Sequence, residues 1–176
     1  LSGGDVGGIL QLRSAGVDRA FNQLGLMQSI VADTFNTLHR EGVDLEGNVG
    51  LDFFTALNDR AVTLGRSVAS STNASNNSIV SVTMDDVAAL QPTDNVLQLK
   101  SSGSLLSYNL QRQSDGAIVK DGVIPNSFPQ SIQIDDGFTI NLESDDFQAG
   151  DVFTISPARI SPEALALKVT DPSALA

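Results

Sequence analysis

The chain contains one histidine, His39, and no cysteine, so the side chains that most often catalyse reactions near neutral pH are almost absent. Without cysteine, thiol catalysis, disulfides and cysteine-ligated metals are excluded. A single histidine excludes His-rich metal sites, and a hydrolytic triad would need this one imidazole to meet a serine and an acid. His39 falls in the last turn of a predicted helix, where an imidazole interacts with the helix dipole or packs on the following loop. We therefore interpret it as structural.

Acidic residues occur as adjacent pairs at three places. Neighbouring residues on a strand point to opposite faces, so such a pair does not face one glycosidic bond as acid and base. Sugar-binding enzymes also use aromatic platforms, whereas aromatic residues make up 5% of this chain. The pairs are Asp85-Asp86, Asp135-Asp136 and Asp145-Asp146. We interpret them as turn residues and predict no catalytic and no cofactor-binding residue; a surface calcium held by Glu143 with the last pair is an open alternative.

A glycine-rich loop with Asp44, Glu46 and Asn48 in alternation suggests a second calcium alternative. A helix-loop-helix calcium site needs Gly at the sixth position and Glu at the twelfth, where this chain has Val49 and Thr55. We favour the interpretation that Asp44 and Asn48 hold turns through their side chains, and we predict no metal site. The aromatic residues that would fix this loop to a core are Phe53 and Phe54.

The position of His39 and of this loop depends on a long helix that the sequence predicts over residues 5–40. Apolar residues recur once per heptad along it, and the helix would be about 50 Å long, more than a domain of this size needs. Nothing in residues 42–176 predicts a second helix of comparable length, so we expect the partners of the apolar stripe to lie outside this chain. The residues predicted to pack against those partners are Leu10, Val17, Phe21, Leu24, Val31, Phe35 and Leu38.

Three glycines bear on how this helix packs and ends. Gly42 follows the last basic residues and is typical of a helix stop. Gly16 and Gly25 lie inside the helix, where each costs about 1 kcal/mol relative to alanine, so packing must compensate. We predict that Gly16, beside the apolar stripe, allows close approach by another backbone.

The hydrophobic period changes after residues 67–78, a polar stretch of low complexity that we interpret as a linker or mobile loop. Beyond it the period is 2, and short strands are separated by turns such as Ser114-Asp115-Gly116 and Asp135-Asp136-Gly137, whose glycines suit positive φ. Spacers for the helices of parallel crossovers are missing, which favours antiparallel pairing. Strands are predicted at residues 79–84, 96–100, 104–112, 117–120, 131–134, 139–142, 152–155 and 165–170.

These patterns predict an α+β fold, with one long N-terminal rod helix and an antiparallel β-rich domain. We assign residues 1–60 to the long helix and following loop, as part of a helical rod domain. Residues 61–164 form the antiparallel β domain. Residues 165–176 are a return segment towards the rod domain, in which residues 171–174 begin a further element.

The net charge of −11 and the pI near 4.2 exclude a nucleic-acid-binding role, because phosphate binding needs clustered Lys and Arg and the ten here are scattered. The same charge disfavours binding to anionic membranes, and no apolar run approaches the roughly 18 residues of a membrane span. No nucleic acid and no membrane are therefore expected as partners.

Two sets of residues resemble a known family. One is Gly150-Asp151-Val152-Phe153-Thr154-Ile155-Ser156-Pro157, which is similar to the GD-x-FT-x-x-P strand that closes the β domain in that family. The other comprises Gly3-Gly4, Gly7-Gly8-Ile9-Leu10, Arg13, Asn22-Gln23-Leu24, Asp33-Thr34-Phe35-Asn36, His39, Gly42-Val43-Asp44-Leu45, Gly47, Gly50 and Asp52-Phe53-Phe54. On these residues the chain resembles the bacterial flagellar hook-associated protein 1 family, the first hook-filament junction proteins. Gly25 and Glu46 depart from the Ala and Asn expected there, and residues 61–148 match only in strand rhythm.

The resemblance implies a structural role and no enzymatic activity. It implies an extracellular component of the flagellum, exported without a cleaved signal peptide, that joins hook to filament. Its implied partners are other helices of the same full-length protein, homologous subunits in a ring, hook protein and the next hook-associated protein. The helix would pack in the axial tube while the β domain projects for lateral subunit contacts. A secreted surface adhesin or glycan-binding β module is the alternative.

Overall fold

The computed structural model describes residues 16–125, 127–159 and 165–176. Its helices are α1 (Asp18–Glu41) and α2 (Arg60–Gly65), and short 3-10 turns occupy Val87–Ala89 and Pro172–Ala174. The strands are β1 (Ser67–Ala69), β2 (Val80–Met84), β3 (Asn95–Ser102), β4 (Leu105–Arg112), β5 (Ile118–Ile124), β6 (Gln130–Ile134), β7 (Phe138–Leu142) and β8 (Val152–Ile155). The predicted α+β class is confirmed.

All strand pairings in the described residues are antiparallel, as predicted. One sheet has five strands in the order β1-β8-β3-β4-β5, and the other has three in the order β2-β7-β6. The period-2 pattern places Leu97 and Leu99 of β3 in the core, fully buried, while the alternate residues Gln98 and Lys100 are exposed. The turns after β4 and β6 contain Gly116 and Gly137 at positive φ, +72° and +83°, as expected from their sequences.

The predicted long helix is confirmed for the 24 residues of α1. It ends at Glu41, and Gly42 then donates its N–H to the carbonyl of His39 at 3.2 Å, in keeping with the predicted stop. Residues 1–15 lie outside the described residues, so the first part of the predicted helix, with Leu10, does too.

The polar stretch 67–78 is not the linker that its composition suggested. Its first residues form β1, which pairs with β8 through Val68 and Thr154. Asn73 then extends this pairing, because its side chain donates to the carbonyl of Val152 at 3.0 Å and accepts from the N–H of the same residue at 2.8 Å. A polar side chain here takes the place of a backbone hydrogen-bond partner. Residues 67–73 therefore form an ordered edge of the sheet although their sequence is polar.

The strand predicted at residues 165–170 is also wrong. Leu167 forms only an isolated bridge with Phe54. Two backbone hydrogen bonds flank it, from Thr55 N–H to the carbonyl of Ala166 at 2.9 Å and from Lys168 N–H to the carbonyl of Phe53 at 2.8 Å. The segment is therefore extended and attached to the loop after α1, without the repeated ladder that makes a strand.

Among the residues that the structure describes, Arg66 is the largest fully buried side chain, at 1% exposure. Its guanidinium donates to the carbonyl of Leu57 at 2.8 Å and to that of Val82 at 3.0 Å, so it joins the loop before α2 to strand β2. Burial lowers the pKa of Arg66 to about 10, which still leaves the group charged at neutral pH.

Candidate packing surface of the long helix

Helix α1 packs on the rest of the chain through small and polar residues. The buried positions follow spacings of three and four, which places them along one stripe of the helix. They are Asn22, Gly25, Ser29, Ala32, Asn36 and His39. The usual arrangement of an amphipathic helix, with its apolar stripe on the core, is therefore reversed here.

The inward stripe is tied to the chain by close backbone contact and by side-chain hydrogen bonds. A Cβ atom built on Gly25 would lie 2.0 Å from the carbonyl oxygen of Ala158, so only glycine fits against that segment. Asn36 accepts from the N–H of Phe54 at 2.8 Å and donates to its carbonyl at 3.2 Å. No described atom lies within 4 Å of a Cβ built on Gly16, so the close approach predicted there, by a partner outside this chain, stays a prediction.

His39 joins three parts of the chain. Its Nδ1 lies 2.5 Å from the carbonyl of Leu51, and its Nε2 accepts from the N–H of Ala176 at 3.1 Å. A neutral ring protonated on Nδ1 satisfies both partners. The ring also packs against Phe53, with centroids 5.7 Å apart. These contacts confirm the interpretation of His39 as a residue that packs on the following loop.

An ion cluster at the other end of α1 was not found from the sequence. Arg159 contacts Asp94, which directly precedes β3, at 2.9 Å and Asp18, in the first turn of α1, at 3.3 Å. The three residues are distant in sequence and carry no local pattern. The cluster fixes the start of the helix to the five-stranded sheet.

The outward stripe of α1 is exposed to solvent. Its members follow spacings of four and three, the spacing of a coiled-coil seam, with Gln28 at the one polar position. Exposure ranges from 46% at Val17 to 66% at Leu38. Phe35 also contacts the rings of Phe53 and Phe54, at 6.0 and 5.9 Å between centroids. The exposed members are Val17, Phe21, Leu24, Val31, Phe35 and Leu38, which are the predicted packing residues within the described part of the chain.

Two of the residues considered for metal binding, Asp44 and Glu143, have other roles. Asp44 accepts from the N–H of Glu46 at 2.9 Å and from that of Asn48 at 2.7 Å, as the turn interpretation predicted, and the bonds from Asn48 lower the pKa of the Asp44 carboxyl. Glu143 accepts from both guanidinium nitrogens of Arg60, at 2.5 and 2.6 Å. The described residues contain no group of three or more His, Cys, Asp or Glu arranged to hold a metal ion. None of their helices has the length and apolarity needed to span a membrane.

Comparisons with known proteins agree with this geometry. The family description "Flagellar hook-associated protein FlgK helical domain" matches residues 1–54. Flagellar hook-associated protein 1 of Escherichia coli K12 is 28% identical over 169 residues, which cover 92% of this chain and 29% of that protein. The protein of the same name from Salmonella typhimurium LT2 is 30% identical over 132 residues, covering 70% of this chain and 22% of that protein.

A solved structure extends the agreement to the fold. The flagellar hook junction protein FlgK from Burkholderia pseudomallei superposes with a TM-score of 0.77 at 28% identity, over 98% of this chain and 29% of that chain. The chain thus spans less than a third of the length of these relatives. The three comparisons confirm the resemblance inferred from the sequence, and the chain is a relative of flagellar hook-associated protein 1.

Proposed function

We propose that this chain belongs to a structural component of the bacterial flagellum that joins hook to filament, and that it has no enzymatic activity. One observation carries the proposal: α1 turns its polar stripe to its own chain and its apolar heptad seam to solvent. The relatives, named as hook-associated and hook junction proteins, support the proposed place in the flagellum.

The proposed occupants of the seam are other helices of the same full-length protein. Full burial of a Val, Leu or Phe side chain stabilises by about 1.5–3 kcal/mol, and these six side chains are about half exposed, so covering the exposed part of each would stabilise a helix interface. Their spacing of four and three matches the knobs-into-holes packing of helices better than the period of a strand. In this proposal residues 1–60 belong to a helical rod domain within the wall of the axial tube.

The proposed role of residues 61–164 is to project outward as a β domain and to make lateral contacts between homologous subunits in a ring. Residues 165–176 would return to the rod domain. Two contacts support this direction: Leu167 bridges Phe54, and the N–H of Ala176 binds His39 at the end of α1. Hook protein and the next hook-associated protein are the proposed axial neighbours. The proposed location is the extracellular part of the flagellum, reached without a cleaved signal peptide.

The experiment is a charge substitution in the seam of the full-length protein. Leu24→Asp, or Val31→Asp, places a carboxylate in the proposed helix interface and is expected to abolish filament attachment and motility. The matched control is Gln23→Asp, which adds the same charge at the neighbouring exposed position outside the seam. Circular dichroism of the purified variants checks that the fold persists. Normal filament attachment by a folded Leu24→Asp variant would refute the proposal.

A further inference from the structure

The loop that joins β1 to β2 contains three asparagines, Asn73, Asn76 and Asn77, and we call residues 73–79 the asparagine loop. Its first residue binds β8 through both atoms of its side-chain amide. Its last residue, Ile79, donates its N–H to a serine hydroxyl at 3.0 Å. Asn76 and Asn77 lie between these two attachments and are exposed. The middle of the loop is therefore fixed at both ends and open to water.

Asparagine is thermolabile because the backbone nitrogen of the next residue can attack its side-chain carbonyl carbon. The attacking nitrogen gives its proton to solvent, a ring of five atoms closes, and the side-chain nitrogen leaves as ammonia. Water then opens the ring to aspartate or isoaspartate, so one oxygen of the product comes from water. The reaction needs no enzyme. It does need a side chain that is free to rotate and a following N–H that is not held in a hydrogen bond.

Asn77 meets both requirements. Among the residues that the structure describes, none accepts a hydrogen bond from the N–H of Ser78, the next residue, and none binds the Asn77 side chain. The Ser78 hydroxyl lies 3.4 Å from the carbonyl oxygen of Asp146, at the long limit for a hydrogen bond between two oxygens. The small side chain of Ser78 also leaves its nitrogen accessible. The reacting groups are therefore free within an ordered loop.

Asn73, four residues earlier, is protected by its contacts. Its side-chain amide both donates to and accepts from the backbone of Val152, at 3.0 and 2.8 Å, so the side chain cannot rotate towards its own backbone. The nitrogen that would attack belongs to Ala74, and its N–H donates to the carboxylate of Asp151 at 3.0 Å. All three hydrogen bonds must open before Asn73 can react.

Asn76 is an intermediate case. Its side chain is exposed, but the nitrogen that would attack it belongs to Asn77, and this N–H donates to the hydroxyl of Ser75 at 3.1 Å. The other asparagines in the described part of the chain lie in helices or strands, or are bound through their side chains. The contacts thus single out Asn77, although its sequence neighbours resemble those of the rest of the loop.

We propose that Asn77 is a modification site, at which the folded protein deamidates spontaneously with water as the only co-reactant. The products carry a carboxylate, so each event adds one negative charge to the asparagine loop. Because the lost ammonia does not return, the converted fraction increases with the time since synthesis. The modification depends on local contacts alone and is independent of the proposed role in the flagellum.

The test is incubation of the full-length protein in heavy-oxygen water at mildly alkaline pH, in native buffer and in guanidinium chloride. Tandem mass spectrometry of digests then locates the heavy oxygen. Asn77 is expected to react in the native protein within about threefold of its denatured rate, whereas Asn73 is expected to react at least about tenfold more slowly in the native protein than when denatured. Each site is compared with itself, so the effect of neighbouring sequence cancels.

A variant tests the chemical route. In Ser78→Val the branched side chain crowds the attacking nitrogen, and the rate at Asn77 is expected to fall at least about fivefold in both states. Circular dichroism during the incubation checks that the native samples stay folded. Protection of Asn77 as strong as that of Asn73, or a rate at Asn77 that Ser78→Val leaves unchanged, would overturn the proposal.

Discussion

Gly25 of α1 lies against the carbonyl group of Ala158 so closely that a Cβ atom at position 25 would come within 2.0 Å of the carbonyl oxygen. The contact joins the middle of the helix to the segment after β8. Because the helix presents small and polar residues on this side, its backbone can lie directly on its own chain. The apolar stripe is then left on the opposite side, and the surface that we propose for packing follows from this one contact.

Replacing Gly25 with alanine should therefore destabilise the protein even though alanine favours helix formation. Crowding against a backbone carbonyl typically costs about 1–3 kcal/mol, which exceeds the gain of about 1 kcal/mol in helix propensity. The measurement is the urea unfolding midpoint. Gly16→Ala, two residues before the start of α1, is the control, since its Cβ meets open space in this chain, and it should leave stability unchanged or raise it. Equal midpoints for the two variants would argue against tight docking at Gly25.

The ion cluster at the start of α1 gives a second prediction. Arg159→Gln leaves the Asp94 carboxylate, whose side chain is 9% exposed, without its cation at 2.9 Å, and should cost about 1–2 kcal/mol because Arg159 itself is partly in solvent. Asp18→Asn removes the longer and more exposed contact and should cost less than about 1 kcal/mol. Adding Asp94→Asn to Arg159→Gln should recover part of the loss. A larger effect of Asp18→Asn than of Arg159→Gln would contradict this assignment.

Glu143 gives a prediction for pH dependence. The hydrogen bond from Arg60, with a second from Ser81, holds the pKa of the Glu143 carboxyl below its usual value of 4.5. The Glu143 carboxyl therefore binds a proton less readily in the folded state than in the unfolded state. Its contribution to the free energy of unfolding is present above about pH 4.5 and is lost as pH falls through the lower folded pKa.

Glu143→Gln should reduce the difference in unfolding free energy between pH 7 and pH 3, by at most about 1 kcal/mol because Arg60 is largely in solvent. Arg60→Gln should change this difference in the same direction, and the double variant should add little, which thermal unfolding at both pH values can check. Additive effects of the two substitutions would show that Arg60 and Glu143 act independently.

Periodic features of the fold could be predicted from the sequence, and long-range ones could not. The seven-residue repeat marks the apolar seam, and the alternation around Leu97 and Leu99 marks a strand, because both depend only on local spacing. Which glycine of the helix lies against its own chain depends on a contact more than a hundred residues away, between Gly25 and Ala158, so local spacing does not single out Gly25. The same applies to Arg159, whose partners come from two other elements.

Two predictions, the linker at residues 67–78 and the strand at residues 165–170, were wrong because pairing depends on distant parts of the chain. The Asn73 side chain extends the edge of the five-stranded sheet, because it binds the N–H and carbonyl of Val152 as a strand backbone would. The Ser-rich and Asn-rich composition of this stretch does not predict that pairing. Residues 165–170 have a strand-like composition, but a strand needs neighbours to pair with, and Leu167 finds a bridge at a single residue. The composition of a segment indicates which residues can be buried, but whether the segment pairs as a strand depends on the other segments that lie beside it.

The central claim is that the apolar seam of α1 is covered in the full-length protein by helices beyond this chain. Labelling of single cysteines with a maleimide tests it most directly, in a full-length background without other cysteines. Leu24→Cys should react at least about tenfold more slowly than Gln23→Cys in the native protein, and the two should react equally after denaturation. Equal native rates at positions 23 and 24 would show that the seam stays in solvent and would contradict the claim.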